Sequence, residues 1–464
     1  MAEMTTDSHY DLVVLGGGPA GAAGAITAAA EGHRVVVIER EPHLGGAGIN
    51  TGTVPSKTLR ETALTLNGIR ARRLTGLDLS LKRQATIDDF VSHQRQVTDN
   101  ERARMLERAD RWHVHVVQGD ARFVDPHTVQ AGDRTLSGDF ILVATGSSPV
   151  RPPEFPFEDP RVHDSNEILE LDHLPRRLAV VGAGVIGSEY ACMFAALGTE
   201  VVVIDGRDAF LPFLDAELSA SLRQAMVQSG IVFRWKETVT TCDVSRDDSV
   251  VLTLSSGVTL ELDGVLVAAG RVSNTETLNL AAAGLTAGPR GLIVVDDHYQ
   301  TSVPHIYAAG DVIGAPALAS TSLQQARGAM CHAFGMHSAV SPPGMLPTGI
   351  YTIPEVSSVG ETEESLRQKG IAYVVGRASY RDNARGDIIG DDSGFLKLLF
   401  RQSDMKLLGV HVIGEQATEL VHVGLIGLLA GADARLFEAA CYNFPTLGDL
   451  YRTAALRALS EAPS

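Results

Sequence analysis

Sulfur is scarce in this chain. The 464 residues include four cysteines, at positions 192, 242, 331 and 441, with no CxxC pair and no Cys/His cluster at zinc spacing. That excludes a disulfide-stapled scaffold and predicts no metal site, and it reads the four thiols as small apolar core residues in a reducing compartment. Positive charge is short as well. The 39 Lys and Arg face 56 Asp and Glu, a net charge of -17, which argues against a nucleic-acid partner because phosphate binding needs a basic face. No run approaches the ~18 apolar residues of a membrane span. The opening MAEMTTDSHY lacks the basic start and apolar stretch of a signal peptide, so the expectation is a soluble, cytoplasmic protein with no membrane partner.

What is present is glycine in two specific places. Residues Asp11 to Leu15 form an apolar run that ends at Gly16-Gly17-Gly18-Pro19-Ala20-Gly21 and leads into an alanine-rich helical stretch to about Glu31. A second strand, Arg34 to Ile38, delivers Glu39 and Arg40. This is strand, glycine loop, helix, strand, acid. Gly16 permits the turn, Gly18 lets backbone amides approach a pyrophosphate, Gly21 lets helix and strand pack closely, and the acid at about 20 residues on suits a ribose 2′-OH. The pattern then returns after a proline-rich stretch around Pro152, Pro153 and Pro156. Arg177 to Val181 is a strand, Gly182, Gly184 and Gly187 form the loop, Ser188 to Leu197 is a helix, and Asp205 follows the strand Val201 to Ile204, with Arg207 two residues on. Two such units imply two dinucleotide sites in one chain, one nucleotide resident and one exchanging. Between them the spacing predicts helix from about Leu59 to Trp112, strands at His113 to Gln118, Ala121 to Val124 and Phe140 to Val143, and a turn at Ala144-Thr145-Gly146. After Gly270-Arg271 and a second linker, Ser341-Pro342-Pro343-Gly344, strands (Leu396 to Phe400, Leu408 to Ile413) alternate with helices (Thr418 to Leu429, Leu447 to Ala458).

Three stretches carry a resemblance to a known family. Gly45 to Lys57 reads GGAGINTGTVPSK, Thr301 to Asp311 reads TSVPHIYAAGD, and Phe444 to Leu456 reads FPTLGDLYRTAAL. Together with the two nucleotide units they resemble the flavoprotein disulfide reductases, over almost the whole chain. The resemblance implies an α/β fold: an FAD-binding and central domain at 1–150 and 272–340, an NAD(P)-binding domain at 151–271, and an α+β dimerisation domain at 341–464. By the same resemblance FAD would be held by Gly16, Gly18, Gly21, Glu39, Arg40, Thr53, Lys57, Thr145, Gly146, Gly310 and Asp311. NAD(H) and NADP(H) would be held by Gly182, Gly184, Gly187, Asp205, Arg207 and Gly270. Lys57, near the flavin and paired with Glu189, would be the catalytic group.

The departures from that family decide the expected chemistry. Its redox-active segment carries two cysteines, where this chain has Gly48 and Thr53. A histidine before the C-terminal proline serves as its acid/base, and here Phe444 precedes Pro445. Electrons that enter from a nicotinamide cannot leave through a dithiol. The branch with this pattern, which GTVPSKTLR (Gly52 to Arg60) and PTGIYTIPEVSSVG (Pro347 to Gly360) also resemble, is the soluble flavin-dependent pyridine nucleotide transhydrogenases, although members of it often keep the first cysteine. The expectation is therefore reversible, ping-pong hydride transfer between NADPH and NAD+ on bound FAD by a homodimer, with assembly beyond the dimer left open. Asp205 favours NAD(H) and Arg207 admits NADP(H), so both are expected to enter. An NAD(P)H diaphorase or quinone reductase, and a non-catalytic FAD- and NAD-binding protein, are the alternatives.

Overall fold

The computed structural model describes residues 8–66, 87–336 and 345–461. The linker expected at Ser341 to Gly344 and the middle of the helical stretch expected after Leu59 lie outside these residues. Two compact units emerge, one of 1–58, 91–150 and 270–340 and the other of 59–90, 151–269 and 341–464.

The first unit is built on a seven-stranded sheet. Its order runs His115–Gln118, Val35–Glu39, Ser8–Leu15, Arg134–Val143, Thr128–Ala131, Ala121–Asp125, and Ile306–Ala308 also pairs with Arg134–Val143. The four strands around Ser8–Leu15 pair in parallel and are covered on both faces, which explains why the first apolar run does not alternate. Val13 and Leu15 pack with Phe123, Val129 and Ile293 on one side. Leu12 and Val14 pack with Ala20, Ala25, Ala326 and Met330 on the other. Strand ends therefore converge on one edge, where the glycine loop, the Ala144-Thr145-Gly146 turn and Gly310 lie.

The second unit repeats the scheme in a parallel sheet ordered Val232–Trp235, Glu200–Asp205, Arg177–Val181, Gly264–Val267, Val162–Asp164. An antiparallel meander, Val239–Asp243, Val250–Leu254 and Thr259–Leu262, packs against it. A further antiparallel sheet orders Thr348–Ile350, Val356–Gly360, Leu407–Ile413, Phe395–Arg401, Tyr373–Ser379. Helices Ala417–Leu429 and Leu450–Glu461 cover one face of it through Val421, Leu428, Tyr451 and Ala455. The helix expected from Leu447 opens instead as a 3-10 turn, Leu447–Asp449, before the α-helix.

One strand of that sheet buries a charge. Lys397, 1% exposed, lies opposite His411 on the neighbouring strand, and its Nζ is 2.8 Å from Asp215 Oδ1, 3.2 Å from Glu217 Oε2 and in contact with Glu363. Asp215 also caps the helix Ala216–Gln228, and Glu363 opens Glu363–Gln368, so one ammonium ties the nucleotide sheet's helix to the C-terminal sheet. Burial pushes the Asp215 and Glu363 carboxyls up, but hydrogen bonds and charge from Lys397 outweigh it and leave both below their ordinary range. Burial likewise pulls Lys397 down, and its two carboxylate partners more than restore it. Carboxyls held low in the fold contribute stability above their unfolded pKa of about 4 and lose it as pH falls through the lower folded values. Lys397→Met strands the buried Asp215 carboxylate and removes the partner of the half-buried Glu363, and should cost about 3–5 kcal/mol. The measurable result is a lowered thermal midpoint at pH 7 that Lys397→Met combined with Asp215→Asn and Glu363→Gln partly restores; an unchanged midpoint in the single variant would show the cluster to be energetically idle.

Candidate active site

The two glycine loops are built alike. Gly16 and Gly182 take φ of +99° and +110°, and a Cβ there would lie 2.5 Å from Ala144 O and 2.4 Å from Ala268 O. Only glycine fits such a turn under a neighbouring strand's carbonyl. A Cβ on Gly21 would stand 1.8 Å from Gly16 O and one on Gly187 1.9 Å from Gly182 O, so each helix is seated directly on its loop. Gly18 and Gly184, the N-cap positions of helices Pro19–Ala30 and Val185–Ala196, carry no capping side chain. A Cβ on Gly184 would meet nothing within 4 Å, and one on Gly18 only Gly46 Cα at 3.8 Å. Both helix N-termini therefore present amides to open space, the geometry that receives a pyrophosphate.

The acid at the end of the second strand grips the loop in each unit. Gly17 N donates to Glu39 Oε2 and Ala183 N to Asp205 Oδ2, both at 2.7 Å. The other carboxylate oxygen accepts from Glu41 N in the first unit and Arg207 N in the second, both at 2.9 Å. The units differ in one respect. Arg207 also folds its guanidinium onto Asp205, Nε to Oδ1 at 2.9 Å and Nη2 to Oδ2 at 2.7 Å. Burial raises the Asp205 carboxyl, and Arg207 with the Arg207 and Ala183 amides brings it below its usual range. Arg40, by contrast, reaches outward to Glu41 at 3.4 Å.

The remaining residues expected at the flavin site lie in the first unit. Thr145 Oγ1 is buried with no hydrogen-bond partner, and Gly146, at φ +68°, has open space where a Cβ would be. Asp311 Oδ2 accepts from Ser147 Oγ at 2.7 Å, and Arg271 donates to Ser147 Oγ at 2.7 Å and Ser147 O at 2.6 Å. Gly310, φ +83°, donates its amide to Gln325 Oε1 at 2.8 Å. Gln325 lies on the helix Ala319–Ala333, whose N-cap, Leu318, supplies no side-chain cap and whose first turn buries an unpartnered Thr321 Oγ1. Ser147, Arg271 and Gln325 carry no motif signal and were invisible in the sequence. An open glycine cradle, an orphaned threonine hydroxyl and an uncapped helix N-terminus are the donors that a flavin dinucleotide takes up, so the residues fit FAD. Gly270, φ +115°, is open at its Cβ position and accepts from Val150 N at 3.0 Å.

Ala47–Thr51 forms a π-helical turn before the helix Thr53–Leu66. Asn50 donates to Leu44 O at 3.2 Å and accepts from Arg102 Nε at 2.8 Å, which fixes the turn. A Cβ at Gly48 would lie 2.6 Å from Pro19 Cγ, the first residue of the nucleotide-loop helix. Thr53 is exposed at the start of its helix. Lys57 donates to Ser56 Oγ at 3.3 Å in the first unit. Glu189, buried in the second unit, accepts from Tyr351 N at 2.9 Å. All four cysteines are free. Cys192 and Cys331 are buried, Cys242 is half-buried, and Cys441 is exposed, which corrects the expectation that all four are core residues. Burial pushes the Cys192 thiol up to about 12 and the Cys242 thiol to about 11, so neither is a thiolate at neutral pH.

No helix among the described residues is long and apolar enough to cross a membrane. Residues 10–326 match the model of the pyridine nucleotide-disulphide oxidoreductases, and residues 346–455 match that family's dimerisation domain. A soluble pyridine nucleotide transhydrogenase of Mycobacterium bovis is 45% identical over 98% of both chains. One from Colwellia psychrerythraea is 40% identical over 99% of this chain and 100% of its own. Among solved structures, LpdA from Mycobacterium tuberculosis superposes with a TM-score of 0.89 at 27% identity, over 97% of this chain and 99% of that one. The HOCl-induced flavoprotein disulfide reductase RclA from Escherichia coli gives 0.86 at 25%, over 98% and 100%. With two nucleotide loops of one design, a cradle that fits FAD and these full-length likenesses, the chain belongs to the pyridine nucleotide-disulphide oxidoreductases, a family of FAD-dependent enzymes.

Proposed function

We propose that this protein is a flavin-dependent transhydrogenase of the cytoplasm, moving a hydride reversibly between NADPH and NAD+ through one nicotinamide site. The observation that carries the reading is Gly48. A family that passes electrons through a dithiol needs a sulfur there, and a Cβ at that position would press against the Pro19 ring at 2.6 Å. The full-length relatives named as transhydrogenases point the same way. FAD, when bound, supplies the two-electron carrier that receives hydride from one nicotinamide and gives it to another.

The chain's own part is to bind, orient and balance charge. Glu39 and the Gly16 to Gly21 loop hold the flavin's nucleotide half, with Arg40 at its outer edge; Thr145, Gly146, Gly310, Asp311 and the open helix at Ala319 hold the rest. Thr53 occupies the second sulfur's place. Gly182, Gly184, Gly187, Asp205, Arg207 and Gly270 receive the exchanging nucleotide. Lys57 and Glu189 are the proposed catalytic residues on the family resemblance, with the Lys57 ammonium placed to favour negative charge as it develops. No step requires a side-chain acid or base, consistent with Phe444 where the family keeps histidine.

The C-terminal domain is proposed to form the homodimer. Helix Ala417–Leu429 turns Val423, Ile426 and Leu429 to the outside, and Leu456 and Phe444 are exposed beyond it. An obligate interface of this kind buries about 2,000 Å² or more in total. Replacing Val423 and Ile426 by glutamate should convert the dimer to monomer in light scattering at micromolar concentration; a native protein that is already a folded monomer refutes the interface.

Activity is tested with FAD-loaded protein, NADPH and a spectrally distinct NAD+ analogue. Transfer should proceed, should survive replacement of all four cysteines by alanine within several-fold, and should fall about a hundredfold, roughly 2.7 kcal/mol of barrier, in Lys57→Met. A hundredfold loss in the cysteine-free protein with FAD still bound would place a thiol in the electron path and sink the reading. Gly48→Ala drives a methyl into Pro19 and should cost about 1–3 kcal/mol, seen as a lower melting midpoint and faster FAD loss, whereas Thr53→Ser should do neither.

A further inference from the structure

The strands Glu200–Asp205 and Val232–Trp235 end side by side, with Asp205 and Trp235 as register partners. Beyond them the two turns are stitched together, Lys236 N donating to Arg207 O at 3.2 Å and Glu237 N to Asp205 O at 3.3 Å. Two ion pairs lie on these joined turns. Arg207 lies on Asp205, and Lys236 Nζ lies 3.0 Å from Asp208 Oδ2. Glu237 is turned away, accepting from Ser255 Oγ at 2.9 Å and Ser256 N at 3.2 Å. Arg234 projects from the opposite strand face to Trp235. Lys236, Asp208 and Arg207 are all more than half exposed.

In open parallel sheets nucleotides bind beyond the carboxyl ends of the strands, which is where this cluster stands. Asp205 already accepts four donors, two from amides and two from Arg207. Its oxygens offer about four acceptor sites. A ribose 2′-OH can enter only as Arg207 yields one contact, and the guanidinium is the partner free to move. A 2′-phosphate needs more. It carries about -1.5 to -2 at pH 7, so Arg207 alone leaves excess negative charge facing Asp205.

We propose that Lys236 and Asp208 set the balance between NADP(H) and NAD(H): Lys236 leaves Asp208 to become the second cation on the 2′-phosphate, and Asp208 is its built-in competitor. The inference rests on the nicotinamide reading of this unit and extends it to how one pocket turns over both nucleotides. With Arg207 and Lys236 set against Asp205 and Asp208, the cluster's formal charge cancels. A phosphate is then admitted by rearranging ion pairs, and NAD(H), which needs only Asp205, is not shut out. Lys236, Asp208 and Arg207 act on binding and touch no reacting atom.

The test uses FAD-loaded protein and two probes, 5′-AMP and adenosine 2′,5′-bisphosphate, titrated by calorimetry. Lys236→Met should weaken the bisphosphate about tenfold and leave 5′-AMP within about twofold, and Asp208→Asn should tighten the bisphosphate about fivefold. Lys236→Arg should retain the parent ratio, and Lys236→Gln replaces the methionine variant if that one loses FAD. A bisphosphate-to-AMP ratio unmoved by both Lys236 and Asp208 variants overturns the proposal. If neither probe binds the parent protein or competes with NADH, the nicotinamide reading of the whole unit falls instead, a result distinct from the first.

Discussion

The hydrogen bond between a strand-end carboxylate and the second residue of a glycine loop is the interaction on which both glycine loops depend. Glu39 to Gly17 and Asp205 to Ala183 have the same 2.7 Å length. Each is charge-assisted and largely buried, hence stronger than a neutral pair. Each does two things at once. It satisfies an amide that the loop would otherwise strand at a buried strand edge, and it holds the loop in the left-handed turn that only Gly16 or Gly182 can take. With the loop fixed, the helix seats on it through Gly21 or Gly187, and the helix amides are left facing outward.

The two carboxylates differ in how much acceptor capacity they leave free. Glu39 accepts from two backbone amides and keeps acceptor capacity for a ribose hydroxyl without releasing anything. Asp205 has all its capacity engaged, half of it by an exposed guanidinium. A nucleotide arriving at the first site adds a hydrogen bond, whereas one arriving at the second exchanges one. Added bonds favour retention and exchanged bonds favour turnover, in keeping with the flavin proposed for the first loop and the exchanging nicotinamide proposed for the second.

Much of this was legible in the chain. The glycine spacing and the acid that follows are local, so both units could be placed to within a residue or two, with strand Arg177–Val181 found as expected. The buried strand Phe395–Arg401 was also legible from its apolar run. Lys397 inside it gave no sign of its role, because Asp215 and Glu363 reach it from distant sequence. Ser147, Arg271 and Gln325 were missed for the same reason: each works by meeting a residue far along the chain. The meander from Val239 to Leu262 was missed because its strands are only four or five residues long, and the outer two, Val239–Asp243 and Thr259–Leu262, are largely exposed and carry threonine and charge with little period to read. Gly48 could be read as a missing sulfur, but that its place is filled by Pro19 needed the fold.

Loss of the acid/base histidine removes the C-terminal segment's chemical task in the family, yet the segment is kept intact and stays tied to the rest of its unit. Residues 351–355 are gripped from both sides. Tyr351 N donates to Glu189 and Arg60 Nε to Thr352 O at 3.0 Å, while Arg60 Nη1 pairs with Glu355 at 3.0 Å. The other Glu355 oxygen accepts from Thr418 N and Oγ1, at 3.2 and 2.9 Å, at the start of the helix whose apolar face points outward. Arg60 and Glu355 are both nearly buried, so breaking their pair leaves Glu355 without a cation in a dry site, while Arg60 keeps only the exposed Glu61 at 2.9 Å. A displacement of helix Ala417–Leu429 is therefore resisted all the way to the backbone that holds Glu189. Rigidity within its own unit is what this buried network gives the segment.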